Sequence, residues 1–228
     1  FRSKLMERGV AADKISVVKN GVNRDLFFPV QKDQELLQQL GLKGKIVIGY
    51  IGTHGMAHKL DFILQCASHL KDNGKFHFLF LGDGAERDKL LQRKEELGCD
   101  NVTMLESVSK QEVKRYISIL DVSLINLKKS ELFTTVIPSK IFENAAMGIP
   151  ILLGVRGEAQ SIIEHYGAGV CFEPENESDF ISKLTTLLTP EIYTKCKSGC
   201  LRLAEDFDRK KLANGMYKVI VSSDKGKL

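Results

Sequence analysis

Along this chain, short runs of apolar residues alternate with stretches in which apolar residues recur every three or four positions. The runs Ile15–Val18, Ile46–Ile51, His77–Leu81, Val102–Leu105, Val122–Ile125, Ile151–Leu153 and Gly169–Phe172 read as β-strands. Several are apolar almost throughout, as expected of a parallel sheet covered on both faces. Between them, Leu60, Ile63, Leu64, Ala67 and Leu70 mark one helical stripe. Leu90, Leu91 and Leu97 mark a second, and Val113, Tyr116, Ile117 and Leu120 a third. Further helical patterns cover Ile162–Tyr166, Phe180–Leu188 and Ile192–Leu203. Alternation of this kind predicts an α/β fold with a doubly wound, mostly parallel sheet, which binds its ligands beyond the carboxyl ends of the strands.

Two regions stand outside the alternation. Residues 1–29 hold the first strand candidate, the turn-rich Lys19-Asn20-Gly21-Val22-Asn23 and Phe27-Phe28-Pro29. Residues 209–228 read as a short helix followed by a frayed Lys/Ser/Gly tail. Phe1 starts the chain in helical style without a methionine, which suggests part of a longer polypeptide.

Composition narrows the function. With 228 residues, 43% of them hydrophobic and 27% charged, the chain can bury a sizeable core. Its 33 basic residues are scattered among 29 acidic ones for a net charge of +4. No basic stripe with interleaved aromatics suggests nucleic acid. Cys66, Cys99, Cys171, Cys196 and Cys200 are odd in number and spread out, so reduced thiols are expected. No apolar run approaches the roughly 18 to 20 residues of a membrane span.

The unusual residues sit in the loops that follow the predicted strands. Pro138-Ser139-Lys140-Ile141-Phe142-Glu143-Asn144-Ala145 predicts a helix with Pro138 at its first position, stopping at Met147-Gly148-Ile149-Pro150. Lys140 is a cation in the first turn, where the helix dipole favours an anion. One explanation is an anionic ligand held between Lys140 and the free N–H groups; Glu143, on the same face, would then accept from ligand hydroxyls. Phosphate plus sugar hydroxyls describes a nucleotide-sugar. The alternative is an exposed ion pair between Lys140 and Glu143.

The loop Gly49-Tyr50-Ile51-Gly52-Thr53-His54-Gly55-Met56-Ala57-His58-Lys59 lets backbone N–H groups approach a phosphate. It matches neither the dinucleotide fingerprint nor the P-loop. His54 and His58 are candidates for hydrogen bonds to phosphate or sugar oxygens, and less so for a metal, because Gly55 stands where H-E-x-x-H needs a glutamate. Leu81-Gly82-Asp83-Gly84-Ala85-Glu86-Arg87 repeats the strand–glycine–helix grammar. Ser109, with Glu112 three residues on, reads as a capping box. Ser130, Thr134 and Thr135 precede Pro138 with hydroxyls that could hold a diphosphate. Gly154-Val155-Arg156-Gly157-Glu158 could bring Arg156 or Glu158 over the same crevice. No nucleophilic triad or close carboxylate pair can be assembled, so no catalytic residue is identified.

Taken in order, Lys19-Asn20-Gly21-Val22, Gly49-Tyr50-Ile51-Gly52-Thr53-His54-Gly55, Leu81-Gly82-Asp83-Gly84-Ala85-Glu86-Arg87 and Pro138-Ser139-Lys140-Ile141-Phe142-Glu143 resemble retaining GT-B glycosyltransferases of group 1. The match extends over roughly residues 15–205 and is nearest to bacterial capsule and O-antigen enzymes such as N-acetyl-L-fucosamine transferases. The resemblance implies the Rossmann-like C-terminal, donor-binding half of a GT-B fold. Residues 1–29 would be the end of a missing N-terminal domain and the connection from it, 30–208 the nucleotide-sugar domain, and 209–228 a helix packing back toward the missing half.

Carried over by position, Glu143 would bind the donor ribose, and Lys140 and Ser139 its diphosphate. Gly52, Thr53, His54 and Gly55 would form the loop near phosphates and sugar, and the backbone around Val108 would meet the base. Two positions depart from the family pattern. Thr53 and His58 replace a common Arg and Lys, and Thr135 replaces the first of two paired glutamates. Lys140 is then the main cation for the leaving diphosphate.

The implied reaction is retaining transfer from a UDP-sugar to a saccharide, pictured as lipid-linked, in surface polysaccharide synthesis. The resemblance implies no metal and no other cofactor. It implies a cytoplasmic enzyme whose membrane contact is at most peripheral, at the inner face. A GT-B-type UDP-N-acetylglucosamine 2-epimerase and a non-catalytic nucleotide-binding module remain alternatives.

Overall fold

A computed structural model describes residues 2–225 of the chain. Six strands form one parallel sheet: β1 (Ile46–Ile51), β2 (Phe76–Leu81), β3 (Val102–Leu105), β4 (Val122–Asn126), β5 (Ile151–Gly154) and β6 (Gly169–Cys171). Their spatial order is β3-β2-β1-β4-β5-β6. The chain winds outward from β1 to β3, then returns to the middle and winds the other way. β1 and β4 therefore lie side by side, Ile48 opposite Val122 and Gly49 opposite Ser123. At such a reversal the connections leave in opposite directions and open a crevice at the carboxyl ends of the strands.

Ten helices accompany the sheet among the described residues. They are α1 (Arg2–Glu7), α2 (Gln34–Gln39), α3 (Leu60–His69), α4 (Arg87–Leu97), α5 (Lys110–Ser118), α6 (Lys140–Ala146), α7 (Glu158–Tyr166), α8 (Glu177–Leu187), α9 (Pro190–Asp206) and α10 (Arg209–Lys225). Side chains alternate across β1, so Ile48 and Tyr50 join one core layer with α3, α4 and α8, while Val47 joins α2 and α5 on the other face. Further along that second face, Ile151 and Leu153 of β5 pack with α6, α7 and α9. The Leu60, Ile63, Leu64 and Ala67 stripe is buried as its spacing requires. Ser109 and Glu112 form the expected capping box at α5.

Four expectations need correction. Ile15–Val18 forms no strand: it pairs with neither edge of the sheet, and Val17 and Val18 are 60% and 43% exposed. The helix after Pro138 starts two residues later, at Lys140, with Ser139 at the cap; the Pro138 carbonyl accepts from the Ile141 N–H in a tighter first turn. It does stop at Gly148, whose φ of +70° suits the residue after a helix. The terminal helix is not short, because α10 runs unbroken to Lys225; residues 226–228 of the expected tail lie outside the described residues. Finally, α2 was not expected. Asp33 caps it by accepting from the Leu36 N–H at 2.8 Å, and Leu36 and Leu37 are buried.

Candidate functional site

The crevice is built from glycines outward. β1 ends at Ile51, and Gly52 follows with φ +142°. Gly82, after β2, comes so close that a Cβ on it would stand 1.9 Å from the Gly52 carbonyl oxygen. The two loops are then laced together: His54 N–H donates to the Asp83 carbonyl at 2.8 Å, and the His54 carbonyl accepts from Glu86 N–H at 2.9 Å. Only glycine permits such proximity. Tyr50 anchors the first loop from below, its buried hydroxyl donating to the Thr53 carbonyl at 2.7 Å.

Lys140 reaches into this arrangement from α6. Its Nζ lies 3.9 Å from the centre of the Tyr50 ring and would be 2.8 Å from a Cβ on Gly52. That nitrogen is shut off from solvent and has no hydrogen-bond partner. The ion pair with Glu143 offered by the sequence is therefore not formed. An enclosed ammonium group without an acceptor is expensive, and the aromatic face offsets only part of that cost. Burial pushes the Lys140 pKa down to about 7, with Glu143 pulling weakly the other way. Glu143, half-buried one turn on, has its carboxyl raised by burial, opposed by Lys110, Arg209 and Lys140.

His54 and His58 flank the same ring, their centroids 6.0 Å and 5.6 Å from that of Tyr50. The His54 imidazole is fully buried beside Tyr50 and Phe80, so its ring does not face the loop surface. Burial, with Arg87 nearby, lowers its pKa to about 4 and leaves the ring neutral at ordinary pH. Neither ring nitrogen has a partner. His58 is lowered by burial too. Among the described residues no three His, Cys, Asp or Glu side chains gather as a metal site.

Gly52, Thr53 and Val108 line one cleft of about 260 Å³, together with Gly82, Asp83 and Ser107. Lys140 borders it through its approach to Gly52. Gly55 is half-buried at the foot of the loop, and Ser139 is exposed before α6. Thr134 and Thr135 lie in neighbouring recesses. Thr134, its hydroxyl donating to the Glu131 carbonyl, lines one with Lys128 and Arg156; Thr135 lines another with Val17, Ile137 and Phe142. Arg156 is engaged elsewhere, with Glu173, at 2.6 Å through Nε. Tyr50 is the site residue that the sequence hid, because an aromatic ring inside an apolar strand reads as core.

Comparison with known proteins identifies a family and a shared fold. Residues 32–198 match the family described as glycosyl transferases group 1. The chain is 34% identical over 145 residues to the putative teichuronic acid biosynthesis glycosyltransferase TuaH of Bacillus subtilis (strain 168), covering 61% of this chain and 34% of that protein. It spans about a third of the length of the curated relatives it matches. Anabaena Alr3699/HepE, solved in complex with UDP, superposes with a TM-score of 0.80 at 19% identity, over 97% of this chain and 61% of that one. The C-terminal domain of the group 1 family protein LpcC from Francisella tularensis superposes with a TM-score of 0.65 at 20% identity, over 82% of this chain and 97% of that domain.

Proposed function

The chain belongs to the glycosyl transferases group 1 family, and on that premise we propose that it is the donor-binding part of an enzyme that transfers a sugar from a UDP-sugar to a saccharide, with retention at the anomeric carbon. The observation that carries this reading is the solvent-excluded ammonium of Lys140, without any acceptor, at the crevice where the sheet reverses. A pyrophosphate supplies the missing acceptors. Transfer leaves a nucleoside diphosphate, so charge grows on its terminal phosphate as the glycosidic bond breaks. A preset cation and loop N–H groups stabilise that charge without having to reorganise.

In this scheme Lys140 meets the terminal phosphate, and Thr53 and Gly55 offer the diphosphate their backbone N–H groups, while those of Gly52 and His54 are held by the Leu81 and Asp83 carbonyls and shape the loop. Ser139, Thr134 and Thr135 bring hydroxyls toward phosphate and sugar. Glu143 accepts from the ribose hydroxyls, where its raised affinity for protons favours a donor partner. The backbone at Val108, inside the cleft beside Gly52, meets the base. UDP is supported as the nucleotide by the likeness to HepE, whose structure was solved with it.

The division into a linker (1–29), a donor domain (30–208) and a terminal helix (209–228) follows the same reading. Coverage of 97% of the LpcC C-terminal domain and the partial coverage of longer relatives support a separate acceptor half. The likeness to a putative teichuronic acid biosynthesis glycosyltransferase supports a polysaccharide product, and a lipid-linked saccharide is the acceptor in this proposal. No described helix is long and apolar enough to cross a membrane; in this proposal any membrane contact is peripheral.

Thermal melting of the chain with UDP, ATP or NAD tests the proposal. UDP at about a hundred times its Kd stabilises the fold by about 2.7 kcal/mol, and the other two leave it unmoved. A complex with UDP should then show the ribose on Glu143 and the terminal phosphate on Lys140. Equal shifts with all three nucleotides, or none with UDP, reject the reading.

A further inference from the structure

The back of α6 is tied to a place where the chain crosses itself. Gly21-Val22, in the segment leading into the domain, runs parallel to Phe207-Asp208-Arg209, between α9 and α10. Val22 N–H donates to the Phe207 carbonyl and Arg209 N–H to the Val22 carbonyl, both at 2.9 Å. The Arg209 guanidinium donates to the Gly21 carbonyl, also at 2.9 Å. Gly21 is required for this proximity, since a Cβ there would stand 2.0 Å from the Phe207 oxygen. The strap is therefore a short, fully hydrogen-bonded clamp and not a loose tether.

The clamp fixes one ring. Phe207 is only 5% exposed and stacks on Phe142 with centroids 4.7 Å apart and planes 22° from parallel, while Tyr166 closes its edge. Phe142 lies in α6 between Lys140 and Glu143, pointing away from the cleft into the core. The Arg209 side chain also lies within electrostatic reach of Glu143. Helix α6 has only two turns, too few to hold its own pose, so its orientation is set by what packs behind it. We propose that Phe207, locked by the Gly21–Arg209 clamp, is a positioning residue that sets the pose of α6 and through it the affinity of the nucleotide diphosphate held by Lys140 and Glu143. This rests on the donor-binding reading above. Coupling of this kind is reciprocal, so a bound nucleotide tightens the clamp in return.

Calorimetric titration of the 228-residue chain with UDP tests it, using Phe207→Leu beside Phe180→Leu. Phe180 is an equally buried ring on the opposite face of the sheet, in α8. Both variants should melt earlier, but only Phe207→Leu should weaken UDP, by about tenfold, while Phe180→Leu stays within about twofold. Arg209→Ala cuts the clamp at the surface without touching the core and should weaken UDP by about threefold; this variant decides the matter if Phe207→Leu does not fold. Unchanged UDP affinity in the folded Phe207→Leu, or in Arg209→Ala where that variant decides, overturns the positioning role. Equal losses in Phe207→Leu and Phe180→Leu overturn it as well. Failure of the unaltered chain to bind UDP overturns the donor reading together with it.

Discussion

At the carboxyl ends of β5 and β6, Arg156 donates to Glu173 at 2.6 Å and Lys129 pairs with the same carboxylate at 2.9 Å. At the ends of β1 and β4, on the same edge of the same sheet, the Lys140 ammonium has an aromatic ring on one side and no acceptor at all. In the first group both cations are exposed and share one carboxylate; together they hold the Glu173 carboxyl below the usual range. The second group is enclosed and incomplete. A charge kept out of water without a partner persists only where something other than stability retains it, and perturbed groups of this kind gather at functional sites. The comparison separates cations that tie loops together from one that waits for a ligand.

Lys140→Ala should break the contrast most sharply. In the full-length enzyme turnover falls about a hundredfold or more, the usual loss when one preset charge-stabilising group is removed. The same substitution should raise the melting temperature of the unliganded chain, because an unpaired buried cation is gone. Activity within tenfold of the parent removes Lys140 from the reaction. Glu143→Ala is next. Its carboxylate is offered to the ribose by hydrogen bonds, so UDP affinity should drop about tenfold in calorimetry with the fold intact. An unchanged affinity makes that glutamate structural.

Acidity sharpens the comparison from another side. Lys140 in the folded chain binds its proton less tightly than the ordinary lysine, with a pKa of about 7. Below that value both folded and unfolded chains carry the charge, and the burial penalty is fully present. Between about 7 and the unfolded value of 10.5 the unfolded state holds more protons, so stability rises with pH. UDP binding needs the charged form and runs the opposite way, falling by a little under about tenfold between pH 6.5 and 8. Lys140→Met should flatten that profile. A profile equally steep in the variant assigns the titration to another group.

Much of this was legible in the sequence for a physical reason. The inner strands β1, β4 and β5 are covered on both faces, so their residues must be apolar nearly throughout, and such runs are easy to see. The same rule misleads at Ile15–Val18, where β-branched residues satisfy strand propensity but pair with neither edge of the sheet. Lys140 and Glu143 were legible because a cation in a helix's first turn breaks a local rule. Tyr50 obeys every local rule, and only its tertiary position under the Lys140 nitrogen shows its part. His54 errs in the other direction: a histidine after a glycine loop looks like a ligand-facing group, yet lacing of the two glycine loops turns its ring into the core. The parallel crossing of Gly21 and Phe207 joins residues 186 positions apart, which no periodicity records.

The smallest expected effect tests the other member of the comparison. Arg156 lies beyond β5, where the sequence could place it either over the same crevice or at the surface. In the structure its guanidinium is 59% exposed and committed to Glu173. An exposed pair of this type contributes between zero and about 1 kcal/mol, because solvent screens both charges and the long side chains lose freedom in meeting. Arg156→Ala should therefore lower stability by under about 1 kcal/mol, and less at high salt. Lys129 remains to neutralise Glu173, so no carboxylate is left bare. UDP affinity should stay within about twofold of the parent, since that cation has nothing to release to a phosphate without stranding its partner. A tenfold loss of affinity in Arg156→Ala would mean that the paired cluster opens to the ligand, and the distinction between complete and waiting charges along this edge would fail.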